Sequence, residues 1–173
     1  GEAFWETAER QGITTASYFW PGSELLLSYR RPTYYEPYAH TRQYEQRVDG
    51  IIKWLQLPSE ERPHFMTLYF HETDTQAHNF GPDSPEANEA IKRLDGITGY
   101  LLNKLVAINM IDSVNLIFVS DHGMTEVSNE KTINIEKIVG SKVCKFFDAG
   151  AIMFVTPEKE KMTDVYEILK KNE

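Results

Sequence analysis

The sequence predicts an α/β protein built as a layered sheet with helices on both faces. Three observations carry this. First, four short stretches are almost continuously apolar: ITTASYF at 13–19, HFMTLYF at 64–70, VNLIFVS at 114–120 and GAIMFVTP at 150–157. Strands without polar alternation need cover on both faces. Second, segments of helical period lie between them, which supplies that cover. Third, 173 residues are enough for one domain with a sizeable core, so 1–173 is expected to lie within a single domain.

Each element has its own warrant. Residues 2–11, EAFWETAERQ, read as a short helix stopped by Gly12. WPGS at 20–23 is turn chemistry, and 24–41 reads as irregular because Pro32 and Pro37 block regular structure. In 43–57 the apolar residues Tyr44, Val48, Ile51, Ile52 and Leu55 keep helical spacing. HETDTQAHNFGPDS, after the second strand, reads as a polar loop rich in ligand side chains. Residues 85–109 predict a long helix with Ile91, Leu94, Ile97, Leu101, Leu102 and Leu105 on one face. A charged amphipathic helix is expected at 158–171. The strand–helix–strand order from 64 to 120 predicts a right-handed crossover, which brings 71–80 and 120–124 to the same sheet edge. Ligands bind at that edge in open α/β sheets.

Composition narrows the function. The chain is 41% hydrophobic and 25% charged, as in an ordinary globular protein, and its formal net charge is −8. That charge argues against a nucleic-acid polymer or an anionic membrane as partner. It leaves a phosphate ester open, because bound metal inverts the local sign. No apolar run is long enough to span a bilayer, so no membrane contact is expected from this segment. Cys144 is the only cysteine, which excludes an internal disulfide, and neither a signal-peptide pattern nor an Asn-x-Ser/Thr acceptor occurs.

The chemistry concentrates in two Asp/His pairs. Asp74 and His78 are four residues apart, so one helical turn, or a loop of similar reach, puts them on one side. Asp121 and His122 follow the third apolar stretch directly, and Gly123 lets the chain turn so that both converge. Carboxylate and imidazole without thiolate suit a catalytic zinc or a similar borderline ion. Two such pairs at neighbouring strand ends could hold two ions, an arrangement suited to displacement at phosphorus. Plain readings compete: Asp121-His122-Gly123 can be a turn, Asp74 a helix cap, and His78 a surface histidine. His71-Glu72 suggests a metalloprotease, but Thr75 stands where the second histidine would be needed. His40 and His64 lack partners at ligand spacing and read as structural.

Several motifs together resemble a known family. Phe19-Trp20-Pro21-Gly22-Ser23, Trp54-Leu55-Gln56-Leu57-Pro58, Glu61-Arg62-Pro63-His64-Phe65, Thr67-Leu68-Tyr69, Asp74…His78…Gly81-Pro82 and Ser120-Asp121-His122-Gly123-Met124 occur in register. The set is similar to the catalytic domain of ectonucleotide pyrophosphatase/phosphodiesterases, of the alkaline phosphatase superfamily. It runs over nearly residues 1–156 and weakens beyond 157. The resemblance implies an alkaline-phosphatase-like fold and two zinc ions. Asp74 and His78 would hold one, with a histidine beyond this C-terminus. Asp121 and His122 would hold the other, with an aspartate and the threonine nucleophile before Gly1. It implies attack of that threonine on phosphorus, a covalent nucleotidyl-enzyme and its hydrolysis. This chain is then an internal fragment, inactive alone, of an extracellular or cell-surface hydrolase acting on a small nucleotide or phosphodiester. Thr73, Glu24 and His71 depart from the usual proline, aspartate and glutamate of the family.

The resemblance also places Tyr38 against the substrate's base. Phe19, Trp20, Glu24 and Tyr38 are therefore candidate substrate-binding residues, with Phe19 and Tyr38 as one or both sides of a slot. Burial against the sheet is the plain alternative for the aromatics. A flat aromatic stacks on any nucleobase without reading its edge. A choline phosphodiester is the second substrate reading, since aromatics and a carboxylate such as Glu24 surround quaternary ammonium groups. An inactive relative kept for protein interaction is the reading from another class.

Overall fold

The computed structural model describes residues 1–140, 142–148, 150 and 152–171. They fall into two compact units, Gly1–Glu126 and Val127–Glu173.

The first unit is organised by strand β1, Thr15–Tyr18, in the middle of a three-stranded parallel sheet. β2, Tyr34–Glu36, pairs on one side and β3, Phe65–Leu68, on the other, with Ala16 opposite both Tyr34 and Met66. All four β1 residues are buried, which explains why this stretch carries no charge. Its three hydroxyls are paired: Thr67 Oγ1 donates to Ser17 Oγ at 2.8 Å, Thr15 Oγ1 donates to Glu9 Oε1 at 2.7 Å, and the Tyr18 hydroxyl accepts from Arg42 Nη1 at 2.7 Å. β2 lies in the stretch read from sequence as irregular. Pro32 and Pro37 flank it rather than interrupt it, and three residues are enough to pair with a central strand.

Glu9 pins helix α1, Phe4–Arg10, to this sheet. One carboxylate oxygen accepts the amide and hydroxyl of Thr15 and those of Thr33, at 2.7–2.9 Å. Partial burial alone would raise the carboxyl pKa, but the four donors outweigh it and hold it below the usual glutamate value. A folded-state pKa below the unfolded one adds stability above the unfolded value, lost as pH falls through the folded value. Glu9→Gln is expected to cost about 1–3 kcal/mol near neutral pH, because the oxygen that accepts two hydroxyls and two amides then carries no charge. The gap between variant and native chain should close in strongly acidic solution, as read by urea melts at several pH values.

Helix α2, Tyr44–Leu55, buries the predicted stripe Tyr44, Val48, Ile51, Ile52 and Leu55. A capping box between Gln43 and Gln46 starts it. Gly50 meets the ring of Tyr18: a Cβ there would stand 2.1 Å from Tyr18 Cε2, so any side chain would push the helix off β1. Arg47 is also buried, an unusual place for a guanidinium. Its Nη1 donates to Tyr69 O at 2.9 Å, and the group stacks over Phe19 and Tyr44 at 4.9 and 4.6 Å.

Helix α3, Glu72–Phe80, replaces the polar loop expected at 71–84. The stretch 72–80 contains neither Gly nor Pro, and the helix stops where Gly81 adopts φ 95°. Helix α4, Pro85–Ala107, starts with Pro85 in its first turn and with Ser84 Oγ accepting the Ala87 amide. It buries Ala87, Ala90, Ile97, Leu101 and Leu105 against the core, while the predicted Ile91 is 54% and Leu102 38% exposed. The buried stripe is narrower than the apolar one. Burying Leu105 contributes about 1.5–3 kcal/mol.

The expected strand 114–120 does not form, and with it the expected crossover lacks its second strand. Val114 packs on the core, but Ile117, Phe118 and Val119 are exposed. A strand is a non-local element: apolar, β-branched residues favour it only where a neighbouring ladder accepts their amides.

In the second unit, the expected strand 150–157 narrows to β5, Met153–Pro157, and residue 151 lies outside the described residues. β5 is antiparallel to β4, Cys144–Asp148, which sequence reading missed because Lys145 and Asp148 dilute the apolar pattern. Helix α5, Ile135–Val139, begins with Asn134 Oδ1 accepting the Lys137 amide. The helix expected at 158–171 is a short 3-10 turn followed by α6, Met162–Lys170. Val139, Cys144 and Val165 form this unit's small core.

Candidate functional site: an Asp/His chain beside an aromatic cavity

The two Asp/His pairs meet, although the strand expected to deliver the second does not form. On α3 the i, i+4 spacing brings His78 Nε2 within 3.3 Å of Asp74 Oδ1. The same oxygen lies 3.7 Å from His122 Nε2, and His122 Nε2 lies 3.6 Å from Asp121 Oδ2. The four side chains thus run as a chain, His78–Asp74–His122–Asp121. The turn that delivers the second pair is locally held: Asp121 Oδ1 accepts the His122 amide at 3.1 Å, and Ser120 Oγ donates to the His122 carbonyl.

Electrostatics favours cations here. The Gly123 carbonyl against His122 Nδ1, then Asp121 and Asp74, raise the pKa of the His122 imidazole above its ordinary value. The same field reaches Tyr69, whose phenol is raised first by burial and then by Asp121 and Asp74. Positive charge is favoured wherever these carboxylates point.

The donor set fits a metal. Zinc bonds of about 2.0–2.1 Å place tetrahedral ligands roughly 3.3 Å apart, close to the spacing of these pairs. Among the described residues, no three His, Cys, Asp or Glu side chains enclose a single point. The four donors form a chain rather than a ring.

Tyr69 also lines the neighbouring cavity of about 260 Å³, together with Phe19, Trp20, Pro21, Ser23, Glu24 and Tyr38. β1 ends at Tyr18, and Phe19 then takes φ 67°, rare for a bulky residue. After that turn Trp20 and Pro21 line the cavity. Phe19 itself is buried and held in place by Arg47 and by the ring of Tyr18 at 4.8 Å. Its ring meets Tyr38 at 5.3 Å with the planes at 69°. The two aromatics touch edge to face rather than facing each other across a gap. Trp20 is half-buried, and Tyr38 is 43% exposed. Glu24 Oε2 accepts the Tyr38 amide at 2.7 Å, so its carboxylate fixes the loop that carries Tyr38.

Sequence reasoning missed two contributors. Tyr69 lies in the apolar stretch 64–70 and directly follows β3, at the predicted edge, a signal that was readable. Ser23 is 1% exposed and its hydroxyl has no partner among the described residues, which only coordinates reveal.

Known proteins resemble this chain in sequence and in fold. The model of the type I phosphodiesterase/nucleotide pyrophosphatase family matches residues 1–173. The chain belongs to that family. Human ectonucleotide pyrophosphatase/phosphodiesterase family member 1 is 41% identical over 140 residues, 81% of this chain and 15% of the relative. A venom phosphodiesterase of Macrovipera lebetinus is 44% identical over 128 residues, 74% of this chain and 15% of the relative. Among solved structures, murine ectonucleotide pyrophosphatase/phosphodiesterase 5, an inactive threonine-to-alanine form in complex with AMP, superposes with a TM-score of 0.81. It is 31% identical and covers 98% of this chain, which in turn covers 45% of it. The chain thus spans about a sixth of the curated relatives and under half of the solved one. The mixed α/β architecture expected from sequence agrees with these neighbours. The family match also extends through 157–173, where the resemblance read from motifs weakened.

Proposed function

We propose that this chain is part of the catalytic domain of an extracellular or cell-surface enzyme that hydrolyses nucleotide phosphodiester or pyrophosphate bonds. The observation that carries the reading is the sharing of Asp74 Oδ1 between His78 and His122 beside the aromatic cavity. A donor chain next to an aromatic wall suits a substrate with an anionic phosphate at one end and a flat base at the other. The names of the relatives, and the AMP held by the murine structure, support the same substrate class. No described helix is long and apolar enough to cross a membrane.

In this reading Asp74 and His78 hold one zinc ion and Asp121 and His122 a second. When bound, zinc offsets the charge of phosphate oxygens and activates the attacking oxygen. The nucleophile, a threonine, and the remaining ligands come from other segments of a longer protein. Tyr38 presents a ring to the base, Phe19 supports that ring from behind, and Ser23 offers a hydroxyl to a polar atom of the ligand. Glu24 is engaged with the Tyr38 amide, which leaves it less suited to a quaternary ammonium and favours the nucleotide over the choline ester.

The experiment compares a chromogenic nucleotide ester with a chromogenic phosphocholine ester. The longer enzyme should turn over the nucleotide ester at least about tenfold better in kcat/KM, a margin one stacked base supplies. A chelator should abolish that activity and zinc restore it. The 173-residue chain alone should show no turnover and weak zinc affinity, because each ion then has two protein ligands. A preference for phosphocholine, or turnover by the isolated chain, overturns the proposal.

A further inference from the structure

Tyr38 is held by two histidines that the metal chain does not use. His40 and His71 stack with ring centroids 4.3 Å apart and planes at 31°. Both turn Nδ1 toward the Tyr38 hydroxyl, His40 at 3.1 Å and His71 at 3.4 Å. On its other side His71 Nε2 lies 3.5 Å from the Tyr44 hydroxyl.

One direction of donation along this chain fits the surroundings. The Tyr44 phenol lies well above the ordinary tyrosine range, through burial and then its hydrogen bond to Glu72. It therefore donates its proton to Glu72 and presents its oxygen to His71. His71 then carries its proton on Nε2, facing Tyr44, and leaves Nδ1 as an acceptor for the Tyr38 hydroxyl. The Tyr38 oxygen in turn accepts from His40 Nδ1–H. Every member donates once in one direction: His40 to Tyr38, Tyr38 to His71, His71 to Tyr44, Tyr44 to Glu72.

We infer that His40 and His71 are positioning residues that hold Tyr38 at the mouth of the cavity and make the enzyme's hold on a nucleobase depend on pH. The inference rests on the proposed role of Tyr38 as the base-stacking residue. A proton on His71 Nδ1 turns the acceptor that faces the Tyr38 hydroxyl into a second donor, so Tyr38 keeps a partner to donate to only if His40 gives up its Nδ1 proton. It also sets a cation against His40 in the stack and beside Arg47, whose guanidinium lies over Tyr44. Glu72 and Asp74, on the helix that His71 opens, act in the opposite sense, and Arg93 of α4 stacks on Tyr44 and pairs with Glu72. The balance favours the neutral ring: burial first, then Arg47 and His40, depress the pKa of His71 below the ordinary histidine value. The latch is therefore closed at neutral pH and opens in mildly acidic solution, releasing Tyr38 from its edge-to-face contact with Phe19.

The test measures KM for a nucleotide ester and for an aryl ester without a base, in the longer enzyme, between about pH 5 and pH 8. The nucleotide-to-aryl KM ratio of the native enzyme should rise about threefold to tenfold on acidification, the scale of one net hydrogen bond. His71→Gln keeps an acceptor but cannot titrate, so its ratio should be flat across the range. His71→Ala should show the raised ratio at every pH. A His71→Gln ratio that follows the native profile overturns the inference. If Tyr38→Ala leaves the ratio unchanged, base stacking fails instead, and the Tyr38 ring resonances of the longer enzyme, carbon-labelled at tyrosine, decide the latch alone. They should shift with the His71 titration in the native enzyme and stay constant in His71→Gln. Resonances indifferent to His71 overturn it.

Discussion

Asp74→Ala is expected to lower turnover of a nucleotide ester in the longer enzyme by about a hundredfold to a thousandfold, the scale on which metal sites depend on their ligands. Asp74 lies at the centre of the chain, with one oxygen facing both His78 and His122, so its loss disconnects the two pairs. His122→Ala should cost a comparable amount. The double variant should be hardly worse than either single one, because residues that act as a unit are strongly non-additive. Stability should barely move. The Asp74 and His122 side chains are 44% and 54% exposed, and surface replacements stay within about 0.5 kcal/mol. Steady-state kinetics and thermal melts of the zinc-loaded proteins read both. Near-normal turnover in either single variant contradicts the assignment.

Tyr38→Ala carries the second large effect. Stacking on one aromatic is worth about 1–3 kcal/mol, so kcat/KM for a nucleotide ester should fall roughly tenfold to a hundredfold. An ester without a base should hardly respond. Phe19→Ala should also lower kcat/KM for the nucleotide ester, but for a different reason. Phe19 is 3% exposed and sits under Arg47, so its removal opens the core as well as the back of the Tyr38 ring. The variant should then melt lower, which Tyr38→Ala, at a 43% exposed position, should not. Equal losses on both esters in Tyr38→Ala would assign that residue to structure rather than to substrate.

What the sequence made legible follows from how local each signal is. The stripe Tyr44, Val48, Ile51, Ile52 and Leu55 is a periodicity within one helix, and it is buried as the spacing predicts. The i, i+4 relation of Asp74 and His78 is likewise local and survives the exchange of an expected loop for α3. The 114–120 stretch shows the limit. Its residues favour a strand, but pairing depends on a partner that no property of the stretch itself supplies, and Phe118 and Val119 remain exposed. The convergence of Asp121 and His122 on Asp74 is nevertheless found, because it needs only a turn at the end of the stretch. The Tyr38 latch lay beyond reach for another reason. His40 and His71 are 31 residues apart in sequence and form no spacing pattern, so His40 reads as structural and His71 as half of an incomplete metalloprotease motif until the fold stacks them at 4.3 Å. Arg47 is similar: a charged residue on an otherwise apolar helix face reads as an interruption, yet it is the stacking partner that holds Phe19 at its strained φ.

The most direct test of the central claim is the anomalous scattering of zinc in crystals of the longer enzyme. Two peaks are expected, one within about 2.2 Å of donor atoms of Asp74 and His78 and the other within the same distance of Asp121 and His122. Both should lie on the side of the donor chain that faces Tyr69 and the aromatic cavity. A single peak shared by all four side chains, or zinc bound elsewhere while these four remain free, would contradict the account.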